Sequence, residues 1–95
     1  MKKKNSSGSS KPTLSCMPQA VLRHLVKIVG LQEMTISRNR NNEWHLSVTV
    51  KSRLYVLYLS TRRAPQSPRA FTRLEAALAA GQRIRATRQV TLVVR

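Results

Sequence analysis

Apolar and polar residues alternate along the middle of this chain, and the alternation predicts a β-sheet. Every second residue is apolar in 34–37 and in 44–50, which is the period of a strand with one buried face. Residues 54–59 are apolar on both faces, as in a strand that is covered on both sides. Asparagine, which tolerates positive φ, occupies three of the four positions in 39–42. We therefore expect three consecutive antiparallel strands.

The faces of these strands predict how they pair, because a shift of one residue would turn every side chain over. Apolar residues meet on one face if Leu46 lies opposite Ile36 in the preceding strand and opposite Leu57 in the following strand. The first of these pairings also sets Arg38 beside Trp44. The other face of the sheet is then polar and open.

Segments whose apolar residues recur at helical spacing precede and follow the three predicted strands. A first helix is predicted over roughly 16–29, with Ser15 as its N-cap and Gly30 as a C-terminal stop with positive φ. The second helix begins with Thr72-Arg73-Leu74-Glu75, which has the form of a capping box. Gly81 predicts its end.

Alternation returns in 90–94 and predicts a final strand, so the elements follow the order α-β-β-β-α-β. With both helices on the apolar face, this order is typical of a two-layer α+β sandwich whose three-stranded antiparallel core gains a C-terminal strand. The last strand should run parallel to the third, beside either the third or the first. We assign one domain to 14–95 and interpret the polar, basic residues 1–13 as a disordered tail.

The chain carries far more positive than negative charge. It has 18 Lys and Arg against 3 acids (Glu33, Glu43 and Glu75), a formal net charge of +15 over 95 residues. Like charges repel in a compact state, so an excess of this size favours a polyanionic partner. Beyond residue 13, arginine outnumbers lysine 12 to 2. Arginine binds phosphate through two parallel hydrogen bonds, which lysine cannot do.

The predicted topology gathers part of this charge at one edge of the sheet. The end of the first strand, the start of the second, the end of the third and the N-terminus of the second helix all meet there. A helix N-terminus adds a partial positive charge. Arginines would also gather there if they merely followed exposed loops. The opposite edge would hold Lys51, Arg53, Arg83, Arg85 and Arg88 more diffusely. The predicted nucleic-acid-binding residues of the first edge are Arg38, Arg40, Arg62, Arg63, Arg69 and Arg73.

Two further features could add to nucleic-acid binding. Tyr58 is predicted to lie opposite His45 on the open face of the sheet, where a ring could stack on a base. The lysines of the tail could lie along a nucleic-acid backbone, although they could equally serve as a solubilising leader.

Little in the chain indicates catalysis. His24 and His45 fall on different elements, the chain has no Asp, and no spacing typical of metal ligands occurs. Cys16 is the single cysteine, so an intrachain disulfide is excluded and a reducing compartment is favoured. A lowered thiol pKa just before the first helix stays an open alternative. We therefore predict a protein that is not an enzyme and has no catalytic residues, cofactor or metal.

No segment predicts export or membrane insertion. The lysines that follow Met1 lead into polar residues 5–10 instead of an apolar stretch. The sequence lacks a run of about 18 apolar residues, the minimum for a transmembrane helix. We expect a cytoplasmic protein without a membrane partner.

Two resemblances to known families accompany these patterns. Over 16–81, the α-β-β-β-α order with a basic loop at 38–42 is similar to the double-stranded-RNA-binding domain, although that family's lysine-rich helix start and Gly-Pro-type loop motif are absent. That resemblance implies a loop in a minor groove and a second helix over phosphates. Residues 57–63 and 68–77 resemble small partition-associated proteins of plasmids and mobile elements. This second resemblance implies an accessory role in maintaining such an element.

The sequence thus predicts a small basic accessory protein that binds nucleic acid, with DNA favoured over RNA by the second resemblance. One alternative is a protein–protein adaptor or inhibitor that docks on an acidic partner. An exposed edge strand could also pair with another protein or with a second copy of the chain. A further alternative is an RNA- or ribosome-associated protein.

Overall fold

A five-stranded mixed sheet with two helices on one face makes up the described part of the chain. The structure is a computed structural model that describes residues 15–51 and 56–94. The predicted tail, Arg53 and Tyr55 lie outside the described residues. The helices are α1 (Gln19–Val29) and α2 (Leu74–Ile84). The strands are β1 (Ser15–Pro18), β2 (Leu31–Arg38), β3 (Trp44–Val50), β4 (Leu57–Ser60) and β5 (Thr91–Val93).

The strands lie in the order β1-β4-β3-β2-β5. Strands β2, β3 and β4 are antiparallel, whereas the outer strands β1 and β5 run parallel to their neighbours β4 and β2. The predicted α+β class is therefore confirmed, and β1 adds a strand that the sequence did not predict. The last strand lies beside the first predicted strand, not the third. Among the described residues, no helix is long and apolar enough to cross a membrane.

The core lies between the helices and one face of the sheet. Leu22 and Val26 of α1 and Ala77, Ala80 and Ile84 of α2 are buried there. These helix residues pack against every second residue of the strands. The apolar residues therefore recur with a helical period in the helices and with a period of two in the strands. The buried strand residues are Met34, Ile36, Leu46, Val48, Val50, Leu57 and Leu59.

The region before α1 differs from the prediction. Residues 15–18 pair with β4, from Ser15 opposite Leu57 to Pro18 opposite Ser60, so the helix does not begin at residue 16. Ser15 is not the N-cap; Pro18 occupies that position, with φ −61°. The predicted end of the helix is confirmed. Gly30 has φ 100°, and its N–H donates to the Val26 carbonyl at 2.8 Å.

The second helix also differs from the prediction at both ends. It begins at Leu74 and its N-cap is Arg73. No side chain of the described residues caps it, so the predicted capping box is wrong. The helix continues through Gly81 to Ile84. A Cβ at position 81 would come within 2.7 Å of Met34 Sδ. Gly81 therefore permits close packing of α2 on the sheet and does not stop the helix.

Strand pairing is predicted correctly on one side of β3 and wrongly on the other. Ile36 lies opposite Leu46, as predicted. Leu57 lies opposite Val48 instead of Leu46, a shift of two residues that leaves the same side chains facing the core. Residues 69–71, which precede α2, form backbone hydrogen bonds with both β3 and β4. The Arg69 N–H donates to the Leu59 carbonyl at 2.7 Å.

Candidate nucleic-acid interface

The six predicted arginines belong to segments that meet at one edge of the sheet, which we call the arginine edge (Arg38, Arg40, Arg62, Arg63, Arg69 and Arg73). Trp44 at the start of β3 and Phe71 before α2 hold these segments together. The Trp44 N–H donates to the Phe71 carbonyl at 2.7 Å, and the Phe71 N–H donates back to the Trp44 carbonyl at 2.9 Å. Phe71 is 5% exposed and belongs to the core. The edge is therefore anchored to the interior and is not a set of loose loops.

Two arginines lie against this aromatic pair. Arg38 ends β2 opposite Trp44, and its Cζ lies 5.8 Å from the centroid of the Trp44 ring system. Arg69 Cζ lies 4.5 Å from the Phe71 ring centroid. A guanidinium over an aromatic face is attracted by the ring quadrupole and loses part of its rotamer freedom. The backbone hydrogen bonds between Trp44 and Phe71 thus bring the two arginine–aromatic contacts close to each other at this edge.

Arg40 lies in a loop that Asn39 organises. The side-chain Oδ1 of Asn39 accepts hydrogen bonds from the Asn41 N–H at 2.8 Å and the Glu43 N–H at 2.9 Å. Asn42 has φ 61°, which fits the predicted role of asparagine in this loop. Arg40 itself is exposed. Arg38 and Arg40 line the same hollow, of about 530 Å³, together with Asn39 and Asn42.

A second hollow, of about 360 Å³, lies where the start of α1 meets the end of β4. Arg62 and Arg69 line it, and so does Arg23 of α1, which the prediction omitted. The sequence could not place Arg23 here because the position depends on β1, whose pairing with β4 brings the start of α1 beside Ser60. What the sequence does show is that Arg23 is a basic residue near the start of a helix, which is compatible with anion binding.

Five of the six arginines of the edge are exposed, all except Arg38, and two of them lie outside both hollows. Arg63 lies in the turn after β4, where the Ala64 N–H donates to Thr61 Oγ1 at 3.1 Å. Arg73 is the N-cap of α2, and its Nε lies 4.0 Å from Glu75 Oε1, with both side chains about four-fifths exposed. Neither Arg63 nor Arg73 is among the described residues that line the two hollows. They widen the basic surface without closing a pocket.

The open face of the sheet brings the two predicted stacking residues near each other. Tyr58 lies directly opposite Ser47, not His45, because the β3–β4 register differs from the prediction. The His45 and Tyr58 rings still meet edge to face, with centroids 6.4 Å apart and planes at 87°. His45 Nε2 also lies 3.4 Å from Asn39 Nδ2. Both rings are half-buried, and their stacking on a base stays a prediction.

The opposite edge, defined by Lys51, Arg83, Arg85 and Arg88, is built differently. All four side chains are exposed. Glu33 lies at this edge and accepts a hydrogen bond from Thr91 Oγ1 at 2.7 Å. The bonds that organise the loop after α2 are made by Gln82 and Thr87, at 2.9 and 3.1 Å, and leave the basic side chains at the surface.

Cys16 is half-buried in β1, opposite Tyr58. Burial raises the pKa of its thiol, because desolvation disfavours the thiolate. The alternative of a lowered thiol pKa is therefore wrong, since residue 16 lies in a strand and not at a helix N-terminus. Among residues 15–51 and 56–94, no three His, Cys, Asp or Glu side chains are grouped so that they could hold a metal ion.

Comparison with known proteins adds nothing to this geometry. No protein-family model, curated protein or solved structure matches the chain.

Proposed function

We propose that this protein binds nucleic acid through the phosphate backbone, with the arginine edge as the binding surface. The observation that carries the proposal is the stacking of Arg38 and Arg69 on Trp44 and Phe71, which pair with each other through two backbone hydrogen bonds. Guanidinium groups fixed in position lose less freedom on binding than free ones, so they bind phosphate at a smaller entropic cost. The exposed Arg40, Arg62 and Arg63 extend this surface.

The proposed mode of binding is electrostatic and mainly independent of sequence. Each arginine that contacts a phosphate releases condensed counterions, which favours binding at low salt. Two acids, Glu43 and Glu75, belong to segments of the arginine edge, where the six arginines outnumber them. With a net charge of +15, long-range attraction would also speed association. The lysines of residues 1–13 would add non-specific affinity.

DNA is the favoured nucleic acid, and maintenance of a plasmid or other mobile element is the favoured process. Both choices rest on the resemblance of residues 57–77 to partition-associated proteins. The proposed role is that of a binding accessory protein in the cytoplasm and not of an enzyme. RNA binding, as in a ribosome-associated protein, is the alternative that the same surface would serve.

A protein–protein adaptor is the second candidate function, and the sheet edges favour it. The outer strands β1 and β5 each pair with one neighbour in the sheet. Leu92 in β5 and Val94 after it are about half exposed, which suits pairing with a strand of a partner or of a second copy. This surface adjoins the arginine edge at Arg38, because Val93 of β5 pairs with Ser37.

The test is a gel shift of the full chain with duplex DNA, duplex RNA and single-stranded DNA at two salt concentrations. Binding should weaken as salt rises, with log K linear in log salt and a slope of about −0.9 for each phosphate neutralised on B-DNA. Tighter binding to DNA than to RNA of the same sequence would support the favoured partner. Absence of binding to every nucleic acid at low salt would contradict the proposal and favour the adaptor.

A further inference from the structure

The groove between the start of α1 and the end of β4 combines three features that favour an anion. It has a volume of about 360 Å³. Three arginines line it, one from α1 and two from the connection between β4 and α2, and the other residues described there are uncharged. The residues that line it include Pro18, Gln19, Arg23, Ser60, Arg62 and Arg69.

The helix end at this groove is not capped by a side chain of residues 15–51 or 56–94. Pro18 is the N-cap of α1 and has no N–H, and no side chain in those residues accepts a hydrogen bond from the first turn. The first turn, which begins at Gln19, also contains no acidic residue. The partial positive charge of the N-terminus of an eleven-residue helix is therefore balanced by neither a cap nor a carboxylate of its own. Such an end favours a tetrahedral anion.

Ser60 supplies an independent observation. The residue is 2% exposed and is one of those that line the groove. Its Oγ is buried and has no hydrogen-bond partner among the described residues. A buried hydroxyl without a partner costs free energy, which is why such groups are rare unless a ligand or water satisfies them. A phosphate oxygen in the groove would accept the missing hydrogen bond.

Arg23, Arg62 and Arg69 come to this groove from different parts of the chain. Arg62 follows Ser60 by two residues, and Arg23 lies one turn into α1. Arg69 is fixed twice, by its N–H bond to the Leu59 carbonyl at 2.7 Å and by its guanidinium over Phe71. Three guanidinium groups and a helix N-terminus can together neutralise the two charges of a phosphate monoester.

We infer that this groove binds one phosphate group, with Ser60 Oγ, the first-turn N–H groups of α1 and the three arginines as donors. The phosphate could be the terminal monoester or an internal diester of a nucleic-acid strand; the assignment of nucleic acid as its source rests on the proposed function. The donor set itself does not, because it would bind inorganic phosphate as well. The groove would set the register of the strand, whereas the rest of the arginine edge would contribute attraction along the backbone.

The first experiment is an NMR titration of the full chain with inorganic phosphate, followed by amide signals. The Ala20 and Val21 signals and those near Ser60 should shift together and saturate. Arg23→Ala should weaken phosphate binding about fivefold or more. Lys27→Ala is the matched control, because Lys27 is exposed one turn further along α1 and carries the same charge. Equal weakening by both variants, or shifts spread over all basic segments, would overturn the inference.

Ser60→Ala separates ligand binding from folding. Removal of an unsatisfied buried hydroxyl should leave the urea midpoint unchanged or raise it, while phosphate binding weakens. A lower midpoint together with unchanged phosphate affinity would mean that the hydroxyl has a structural role, and the groove would then not be the site.

The second experiment distinguishes the two sources of phosphate and separates this inference from the proposed function. Oligonucleotides of one sequence with a 5′-phosphate and with a 5′-hydroxyl are compared on the parent chain and on Arg23→Ala. A preference for the 5′-phosphate that Arg23→Ala abolishes identifies a terminal monoester; equal binding that Arg23→Ala weakens identifies an internal diester. Nucleic-acid binding that Arg23→Ala leaves unchanged would overturn the inference while the proposed function stands. Saturable phosphate binding without nucleic-acid binding would support the groove and contradict the proposed function.

Discussion

The two edges of the sheet both carry several basic side chains, but they differ in how those side chains are held. At the arginine edge, Arg38 and Arg69 stack on an aromatic pair that is itself part of the hydrogen-bonded framework. At the opposite edge, Arg83, Arg85 and Arg88 are exposed at the end of α2 and in the loop that follows. In the proposed function, this difference makes the arginine edge the better binding surface at similar charge. Binding is favoured where the fold already limits the freedom of the charged groups.

The largest expected effect concerns the link between the arginine edge and the core. Phe71→Ala removes a nearly buried ring of the core, and it should lower the free energy of unfolding by about 3–5 kcal/mol. Leu92→Ala, at the half-exposed position in β5, should cost under about 1 kcal/mol. Urea unfolding of both variants measures the difference. Similar losses would mean that the arginine edge is no better anchored than the rest of the sheet.

The elements that the sequence predicts are those whose signal is local. The alternation of apolar and polar residues predicts β2 and β3. It also predicts which face of these strands packs against the helices. β1 escapes prediction because Ser15 to Pro18 is short and precedes a helix directly, so only its pairing with β4 makes it a strand. The register of β4 against β3 is not predictable, because a shift of two residues leaves the same side chains on each face of the sheet.

The candidate site is predictable to a similar extent. Strand order brings the ends of β2 and β4 to the edge where β3 begins, and the arginines of those segments follow. The groove at α1 cannot be predicted, because it needs β1 and therefore a long-range contact. Gly81 shows the same limit: a glycine that ends a helix and one that packs against Met34 look identical in sequence.

An intermediate effect tests whether aromatic stacking matters beyond charge. Arg69→Lys keeps the charge but loses the planar contact with Phe71, so nucleic-acid binding should weaken about two- to fivefold. Arg85→Lys makes the same replacement at the exposed end of α2 and should leave affinity within about twofold. Fluorescence anisotropy with a labelled duplex measures both. If both replacements had equal effects, stacking would play no part in the arginine edge.

The smallest effect concerns the acids. Glu75→Gln removes the carboxylate 4.0 Å from Arg73, so nucleic acid should bind about twofold tighter. Glu33→Gln makes the same charge change at the opposite edge, and the amide oxygen can still accept the hydrogen bond from Thr91. Its affinity should stay close to that of the parent chain, as judged by the same anisotropy assay. An equal gain from both would show that net charge alone controls binding.

The most direct test of the arginine edge compares two double variants of equal charge in a salt titration of duplex binding. Arg62→Ala with Arg63→Ala removes two exposed arginines of the arginine edge, and Arg83→Ala with Arg85→Ala removes two from the opposite edge. The first pair should weaken binding more and make the slope of log K against log salt shallower, by about 0.9 for each phosphate that the variant no longer neutralises. The second pair should leave that slope unchanged. Equal reductions of affinity and slope from the two pairs would contradict a located phosphate-binding surface.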